Sequence, residues 1–440
     1  MAGPRVCVVG AGSSGIPVAK ALRDRGLAFD VYEKSDKVGG NWVFKNKNGW
    51  SSAYRSLHIN TSRDRMEYAD YKMPRDYPDF PHHTQIARYF DLYVDHFGLR
   101  ESIRFETGVT RITPDGAGWR VTTDRGETHR YDAVAVANGH HWDPRGPSPA
   151  PPGRFDGLQF HSHHYIDPSD PHELRGKRVI VVGMGNSAMD IACELSRDNV
   201  AARVILVARR GAHVVPHYWF GRPLDQLLTL PPWAPWAVKR TVAGFFHKLA
   251  VGEMARYGLP APDHRIGEAH PTISSEILPR LGRGDITIKP AIRSLDGDAV
   301  TFVDGTREPA DAIVWCTGYN VTFPFFEPGF LSAPDNDLPL FMRVWKPGLP
   351  SLFFIGLLQP LGAVMPLAEA QGKWIADYLC GDYALPSEAE MERAIAKDSL
   401  AMHRRYVPSA RHTMQVDFDE YLYALDKERK RGAARARSRR

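Results

Sequence analysis

The stretch Val6-Cys-Val-Val-Gly10-Ala11-Gly12-Ser13-Ser14-Gly15 decides the fold of this 440-residue chain. Its apolar start predicts a short buried strand of a parallel sheet, and the remainder matches the pattern G-x-G-x-x-G. In such a loop the first glycine permits a tight turn, the second lets backbone approach a pyrophosphate, and the third lets a helix pack closely on the strand. The free N–H groups at the start of that helix bind the phosphates. We therefore predict that this loop binds a dinucleotide.

The second predicted strand, residues 29–33, ends in the acid Glu33, 18 residues after Gly15. A carboxylate at this position accepts hydrogen bonds from ribose hydroxyls and repels a 2′-phosphate, which leaves FAD or NAD as the ligand. The turn Gly39-Gly40-Asn41-Trp42 favours FAD, because it resembles the G-G-x-W turn that two-dinucleotide flavoproteins place against their flavin.

The same arrangement recurs at residues 178–195, where an apolar run leads into Gly183-Met-Gly185-Asn186-Ser187-Ala188 and a predicted helix. Its second strand ends in Arg209-Arg210, where the first unit has an acid. Arginine pairs with a 2′-phosphate through charge-assisted hydrogen bonds, so the second nucleotide is predicted to be NADP(H). The fold class is therefore α/β, with two Rossmann-like domains, one for FAD and one for NADP.

The connector between the two units fits the pattern F-x-G-x-x-x-H-x-x-x-Y through Phe155, Gly157, His161 and Tyr165. The run 312–319 echoes 134–139 as an apolar strand that ends in a glycine, after which the chain returns to the first domain. The NADP domain is thus predicted to be inserted into the FAD domain. The predicted ranges are 1–165 for the first part of the FAD domain, 166–318 for the NADP domain with a helical insertion at about 217–262, 319–426 for the return to the FAD domain with C-terminal helices, and 427–440 for a basic, disordered tail.

Residues 54–71 show the low periodicity of a functional loop, and Asn60 and Thr61 lie within it. Asn60 both donates and accepts hydrogen bonds, so it is suited to hold an oxygen adduct of a flavin or the amide of a nicotinamide. An ordinary turn asparagine is equally consistent with the sequence. In the return segment, Gln359 is a further predicted cofactor-binding residue, and the helix predicted at 366–379 begins where its dipole would stabilise a reduced flavin.

Composition predicts a soluble globular protein of two or three domains, with 43% hydrophobic and 24% charged residues. No apolar run reaches the roughly 18 residues that a membrane span needs, and the first strand begins too early to leave room for a signal peptide, so we expect a cytoplasmic protein. The four cysteines are far apart and form no C-x-x-C pair, which predicts neither a metal site nor a dithiol redox pair. We expect them to be reduced, buried thiols.

The net charge of +5 comes from the C-terminus, since residues 427–440 contain eight bases and one acid, or +7, which leaves about +5 − 7 = −2 for the rest. The basic residues therefore form a tail and no face, and they do not indicate a nucleic-acid partner.

These motifs, in this order, resemble those of the flavin-containing monooxygenases over roughly residues 5–380. The resemblance implies FAD contacts from Gly10 to Gly15, Glu33, Gly40, Asn41, Trp42 and Thr61, NADP contacts from Ser187, Ala188, Met189, Asp190 and Arg209, and Asn60 as the active-site asparagine. It implies that NADPH reduces FAD, that the reduced flavin and O2 form a C4a-hydroperoxide, and that a nucleophilic nitrogen or sulfur of a small amine or sulfide takes the distal oxygen.

Three departures from the family pattern accompany this resemblance. The connector pattern F-x-G-x-x-x-H-x-x-x-Y, the fingerprint of this family, ends here in Tyr165-Ile166 in place of Trp-Pro. This ending argues against a Baeyer–Villiger enzyme acting on ketones, the nearest competing assignment. Residues 137–139 read A-N-G in place of A-T-G, and the hydrophobic C-terminal anchor of membrane-bound relatives is missing.

A binding protein of a different class is also consistent with the sequence, namely an FAD- and NADP-binding redox sensor without oxygenase activity. A disulfide reductase is disfavoured, because no C-x-x-C pair is available. The insertion at 217–262 suits a substrate lid, a membrane-surface patch, an oligomer contact or helices packed on their own domain. We expect a homodimer.

Overall fold

The computed structural model describes residues 3–227, 230–407 and 413–439. Its first core is a five-stranded parallel sheet whose strands, in spatial order, are Leu352–Phe354, Ala133–Val136, Val6–Val9, Phe29–Tyr32 and Ile103–Arg104. All four residues of the central strand are buried, as expected for a parallel sheet that is covered on both faces.

A second five-stranded parallel sheet repeats this design. Its strands, in spatial order, are Leu158–His161, Ala312–Trp315, Arg178–Val182, Arg203–Val207 and Ile286–Lys289. In each sheet the strand that precedes the glycine loop takes the central place, between the closing strand and the second strand of its unit. The predicted α/β fold with two Rossmann-like domains is confirmed.

The chain leaves the first sheet after Ala133–Val136, builds the whole second sheet, and returns through Leu352–Phe354, which pairs with Ala133–Val136. The second domain is therefore inserted into the first, as predicted. The return continues into a helix that packs on the helix of the first glycine loop, where a Cβ on Gly372 would lie 3.1 Å from Cα of Val18.

Smaller sheets surround these two cores. An antiparallel sheet contains Val109–Asp115, Gly118–Thr123 and Thr128–Tyr131, and a mixed sheet contains Arg307–Pro309, Ala299–Phe302, Ile292–Gly297 and Gly153–Phe155. The two-stranded pairs are Val214–Val215 with Thr272–Ile273, Tyr218–Trp219 with Arg222–Pro223, Asp143–Pro144 with Tyr319–Asn320, and Gln359–Leu361 with Gln415–Asp417.

The helices are, in chain order, α1 Gly15–Asp24, α2 Arg63–Met66, α3 His83–His96, α4 Asn186–Leu195, α5 Leu224–Leu227, α6 Trp236–Ala250, α7 Ile277–Arg283, α8 Met365–Leu379, α9 Glu388–Arg405 and α10 Phe418–Arg439. Helices α1 and α4 follow the two glycine loops and cover their sheets. Within the described residues, none of the helices combines the length and the apolar composition of a membrane span.

The boundary predicted at residue 165 is too late in the chain. Strand Leu158–His161 pairs with Ala312–Trp315, and strand Gly153–Phe155 pairs with Ile292–Gly297, so both already belong to the second domain. The fingerprint residues have structural places there. Phe155 lies in the core beneath the second sheet, a Cβ on Gly157 would lie 2.6 Å from the carbonyl oxygen of Asp311, and the Tyr165 hydroxyl donates to Glu194 at 2.8 Å.

The predicted disordered tail is wrong for residues 427–439, which continue α10. The helix packs against the first domain at Gly432, where a Cβ would lie 1.9 Å from the ring of Tyr383. Arg435 pairs with Glu428 and donates to the carbonyl oxygen of Ala384 at 3.0 Å. The basic composition suggested a disordered tail, but alanine, lysine, arginine and glutamate are also strong helix formers, so composition alone did not predict the helix. Of the predicted ranges, residues 1–2, 228–229, 408–412 and 440 lie outside the described residues.

Candidate functional site

The first glycine loop has the geometry of a phosphate-binding turn. Gly10 has a φ of +100°, and a Cβ on Gly15 would lie 1.9 Å from the carbonyl oxygen of Gly10, so α1 fits only with glycine there. The backbone N–H groups of Gly12, Ser13 and Ser14 donate to no described residue. They lie ahead of a ten-residue helix, where the free N–H groups and the helix dipole favour an anion.

Glu33 follows the second strand of the first sheet and is only 5% exposed. Its carboxylate accepts hydrogen bonds from the backbone N–H of Ala11 at 2.8 Å and of Ser35 at 2.7 Å. Burial raises the pKa of Glu33, and the two N–H donors oppose that shift. Each carboxylate oxygen has a second lone pair, which suits it to the ribose hydroxyls of a nucleotide bound at the glycine loop.

The G-G-x-W turn meets the glycine loop directly. Gly39 donates its N–H to the carbonyl oxygen of Ala11 at 3.0 Å, and a Cβ on Gly40 would lie 3.3 Å from Cα of Gly12. The Asn41 side chain accepts from the N–H of Ser52 at 2.8 Å, and Trp42 is partly buried against the first core. The predicted residues of both segments therefore lie together, with backbone exposed where a dinucleotide would approach.

The return segment reaches the same place. Gly356 has a φ of +69°, and a Cβ there would lie 2.0 Å from Oγ of Ser14. Gln359 is partly buried, and its N–H donates to the carbonyl oxygen of Met414 at 2.8 Å. Helix α8 begins at Met365, shortly after Gln359, so its N-terminus follows the predicted contact closely.

The second glycine loop repeats the first, except that Ala188 takes the place of the third glycine. A Cβ on Gly183 would lie 2.7 Å from the carbonyl oxygen of Cys316, and Gly185 caps α4. The Asn186 side chain accepts from the N–H of Ile273 at 3.0 Å, which fixes the start of the helix. Ser187 is partly buried, whereas the side chains of Ala188 and Met189 are fully buried in the second core, so they offer only backbone to a ligand.

The two predicted arginines differ in their surroundings. Arg210 forms an ion pair with Asp263, with Nη2 and Oδ2 2.8 Å apart. Arg209 is exposed and has no acidic or accepting partner among the described residues. Arg209 is therefore a free cation shortly after the second strand of this domain, one residue further along the chain than the position equivalent to Glu33 in the other. A phosphate on the nucleotide ribose fits this charge.

Asp190 connects the two domains. It lies on α4, and its carboxylate accepts a hydrogen bond from the hydroxyl of Tyr54 in the first domain. Burial raises the pKa of Asp190 to about 6, and the Tyr54 hydroxyl opposes the shift. The predicted NADP contact is thus also a contact between the domains.

Asn60 lies in a segment of the first domain, residues 54–62, that contacts the second domain along its length. Its Oδ1 lies 3.1 Å from Nε2 of His217, and Ser62 donates its N–H to Asp225 at 2.7 Å. Thr61 between them is buried. His217 and Asp225 come from the second domain, and sequence reasoning did not select either of them, because no local pattern signals a contact across 157 residues.

The cysteines take no part in the chemistry proposed for this site. Cys7 and Cys193 are buried and Cys316 and Cys380 are partly buried, so the predicted burial holds fully for two of the four. Burial raises the pKa of the Cys193 and Cys316 thiols to about 12, which keeps them protonated.

Comparison with known proteins identifies the family of this chain. The family model described as flavin-binding monooxygenase-like matches residues 3–430. The chain is 37% identical to flavin-containing monooxygenase 5 of Oryctolagus cuniculus over 96% of this chain and 82% of that protein. It is 34% identical to the N-oxide-forming dimethylaniline monooxygenase 2 of Rattus norvegicus, again over 96% and 82% of the two chains.

Solved structures share the fold. S-allyl-L-cysteine S-oxygenase from Allium sativum superposes with a TM-score of 0.72 at 24% identity, over 99% of this chain and 93% of that one. A steroid monooxygenase bound to NADP superposes with a TM-score of 0.70 at 19% identity, over 97% and 98% of the two chains. At these identities the likeness bears on the fold alone.

Proposed function

Since this chain belongs to the flavin-binding monooxygenase-like family and has FAD and NADPH as its cofactors, we propose that it oxygenates a nucleophilic nitrogen or sulfur of a small amine or sulfide. One oxygen atom of O2 enters the product and the other leaves as water, with NADPH and a proton supplying the two reducing equivalents. A relative named for N-oxide formation supports this class of substrate.

The contacts of the Asn60 segment with the second domain connect the proposal to particular residues. The segment that holds Asn60 is fastened to the second domain at both ends, through Tyr54 to Asp190 and through Ser62 to Asp225. These contacts between the domains support the assignment of Asn60 to the region between an FAD on the first domain and an NADPH on the second. Bound FAD supplies the redox chemistry and the activation of O2.

The residues of this chain bind and orient the two cofactors. The free N–H groups of Gly12, Ser13 and Ser14 hold the FAD pyrophosphate, and Glu33 accepts from its ribose. On the second domain, the N-terminus of α4 holds the NADPH pyrophosphate and Arg209 binds the 2′-phosphate. Arg210, which is paired with Asp263, adds a second positive charge beside Arg209.

We assign two roles to Asn60, namely shielding the reaction from water and orienting the bound cofactors. Its Oδ1 is engaged by His217, whereas its Nδ2 donates to no described residue. With FAD and NADP bound, a free amide N–H of Asn60 would be suited to donate a hydrogen bond to either cofactor, and the contacts of its segment with the second domain would help to limit access of water.

The test is product analysis with NADPH, O2 and three substrate classes, namely a tertiary amine, a thioether and a ketone. N-oxide or sulfoxide formed in proportion to NADPH consumed supports the proposal. Ester formed from the ketone alone would move the assignment to Baeyer–Villiger chemistry, and hydrogen peroxide equal to NADPH with every substrate would favour a redox sensor without oxygenase activity.

Asn60→Ala gives a direct check of the assigned residue. We expect this variant to keep its flavin, because Asn60 supplies no part of the nucleotide loop, and to divert NADPH oxidation to hydrogen peroxide. Flavin content by absorbance and product per NADPH would be measured together. Full product yield in the variant would remove the role of Asn60.

Two further properties complete the proposal. A cytoplasmic location and a homodimer are predictions from the sequence, and the second is open to light scattering on the purified protein. A single-chain mass near 49 kDa in solution would contradict the dimer.

A further inference from the structure

The hairpin of residues 217–223 and the short helix α5 lie directly over the Asn60 segment. Asp225 accepts the N–H of Ser62 at 2.7 Å, and Gln226 donates to Oγ of Ser62 at 3.1 Å. The ring of Phe80 meets the ring of His217 edge to face, with centroids 4.7 Å apart. These contacts fix the position of His217 relative to the first domain.

The contacts on its two ring nitrogens indicate which nitrogen of His217 carries the proton. Ser275 Oγ accepts the backbone N–H of His217 at 3.0 Å and lies 3.0 Å from its Nδ1. Oδ1 of Asn60 can only accept, so the Nε2 that faces it carries the hydrogen, and the Ser275 hydroxyl can donate its own hydrogen to Nδ1. Nδ1 is then an acceptor, and the proton of the neutral imidazole is on Nε2.

The neutral state follows from the surroundings of the ring. Burial lowers the pKa of His217 and His58 adds to that shift, whereas the carboxylates of Asp225 and Glu276 oppose it. The imidazole therefore stays uncharged at neutral pH, and its Nε2–H points at Asn60.

From this geometry we infer that His217 is a positioning residue for Asn60: Nε2–H donates to Oδ1 and thereby turns Nδ2, a donor, toward the cofactors. The side-chain amide of asparagine has two faces of opposite hydrogen-bonding character, and without a fixed partner it presents either one. His217 removes that freedom. A loop of the NADP domain thus sets the polarity of the amide that faces the flavin, and this inference rests on the proposed function.

Two substitutions separate the donor from the ring. His217→Gln places an amide N–H close to the position of Nε2 and keeps the donation to Asn60, whereas His217→Asn keeps a polar group near Ser275 and loses the donor to Asn60. We expect His217→Asn to raise the ratio of hydrogen peroxide to product by about two- to tenfold, the range that one hydrogen bond sets. His217→Gln restores a ratio close to that of the unmodified protein.

Controls distinguish positioning from general damage to the fold. Tyr218→Phe removes a neighbouring contact of the same hairpin, the donation to Asp79 at 2.9 Å, and is expected to leave the ratio unchanged. Ser275→Ala keeps the ring but frees its tautomer, and it is expected to raise the ratio by less than His217→Asn. Flavin content and the KM for NADPH are expected to stay constant in all of these variants.

A double-mutant cycle completes the experiment, because His217 acts through Asn60 alone. His217→Asn is expected to have no further effect in the Asn60→Ala background. An unchanged ratio in His217→Asn, an equal rise in His217→Gln, or a full additional effect in the Asn60→Ala background would each overturn the inference while leaving the oxygenase assignment in place. Peroxide equal to NADPH in the unmodified protein, with every amine and sulfide, would overturn the proposed function itself and this inference with it.

Discussion

The two dinucleotide-binding domains have the same strand order and carry opposite charges shortly after their second strands. In the first, Glu33 follows the second strand, is buried and accepts two backbone N–H groups. In the second, Ala208 takes the equivalent position and Arg209 follows it, exposed and without a partner among the described residues. We propose that a shared backbone provides the pyrophosphate site in both domains, and that the charge after the second strand decides whether the bound ribose carries a phosphate.

The glycine loops differ as well, and the largest predicted effect comes from this difference. The third glycine of the first loop is Gly15, whereas the second loop has Ala188. Gly15→Ala places a methyl group 1.9 Å from the Gly10 carbonyl, which is too close for any side-chain carbon. We expect loss of bound FAD, measured as flavin absorbance per mole of folded protein.

Ala188→Gly is the matched control, since it changes the equivalent place in the other domain. It removes one buried methyl group and adds backbone freedom in a helix, at a cost of about 1 kcal/mol each. Flavin content is expected to stay full in this variant. Equal flavin loss in both variants would mean that the two loops are under the same constraint, contrary to the comparison.

The charge difference gives a smaller and more specific effect. Arg209→Ala is expected to raise the KM for NADPH by about tenfold or more, because a charge-assisted phosphate contact is worth roughly 1.5–3 kcal/mol, and to leave the KM for NADH unchanged. Arg210→Ala is expected to raise it less, since Arg210 is already paired with Asp263. Steady-state kinetics with both nucleotides measures this, and an unchanged preference for NADPH in Arg209→Ala would remove the assignment of the 2′-phosphate.

The smallest predicted effect concerns the contact between the domains. Burial raises the pKa of Asp190 to about 6, above the ordinary value of 3.8, so the folded state retains a proton that the unfolded state releases. This contribution to stability is present below about pH 4 and is lost as the pH rises through about 6. Asp190→Asn keeps an acceptor for Tyr54 without a titrating group.

Thermal melts across this pH range would reveal the difference. We expect the unmodified protein to lose stability between about pH 4 and pH 6 relative to Asp190→Asn, and the two curves to run parallel above about pH 7. Curves that are parallel over the whole range would show that Asp190 ionises normally in the folded protein.

Local sequence predicted the parts of the molecule that depend on local physics. Apolar runs that lead into glycine loops predicted both sheets, and the helix predicted at 366–379 is present at Met365–Leu379. A hydrophobic face and a glycine turn are properties of neighbouring residues, so a single sequence contains them.

Features that depend on distant contacts were missed. The strands at 153–161 were assigned to the wrong domain because their pairing partners come far later in the chain, at Ile292–Gly297 and Ala312–Trp315. The end of α10 was taken for a tail because its packing on Tyr383 is not visible in composition. His217 was not selected because only the fold brings it to Asn60.

The central claim is that the two domains cooperate to oxygenate a substrate and do not merely bind two nucleotides. Rapid mixing of the NADPH-reduced protein with oxygenated buffer tests it most directly, with the absorbance of oxidised flavin as the signal. We predict that the oxidised spectrum returns slowly without substrate and faster when a tertiary amine or thioether is present, with one oxygenated product per flavin. An immediate return with one hydrogen peroxide per flavin, unaffected by either substrate, would contradict the account.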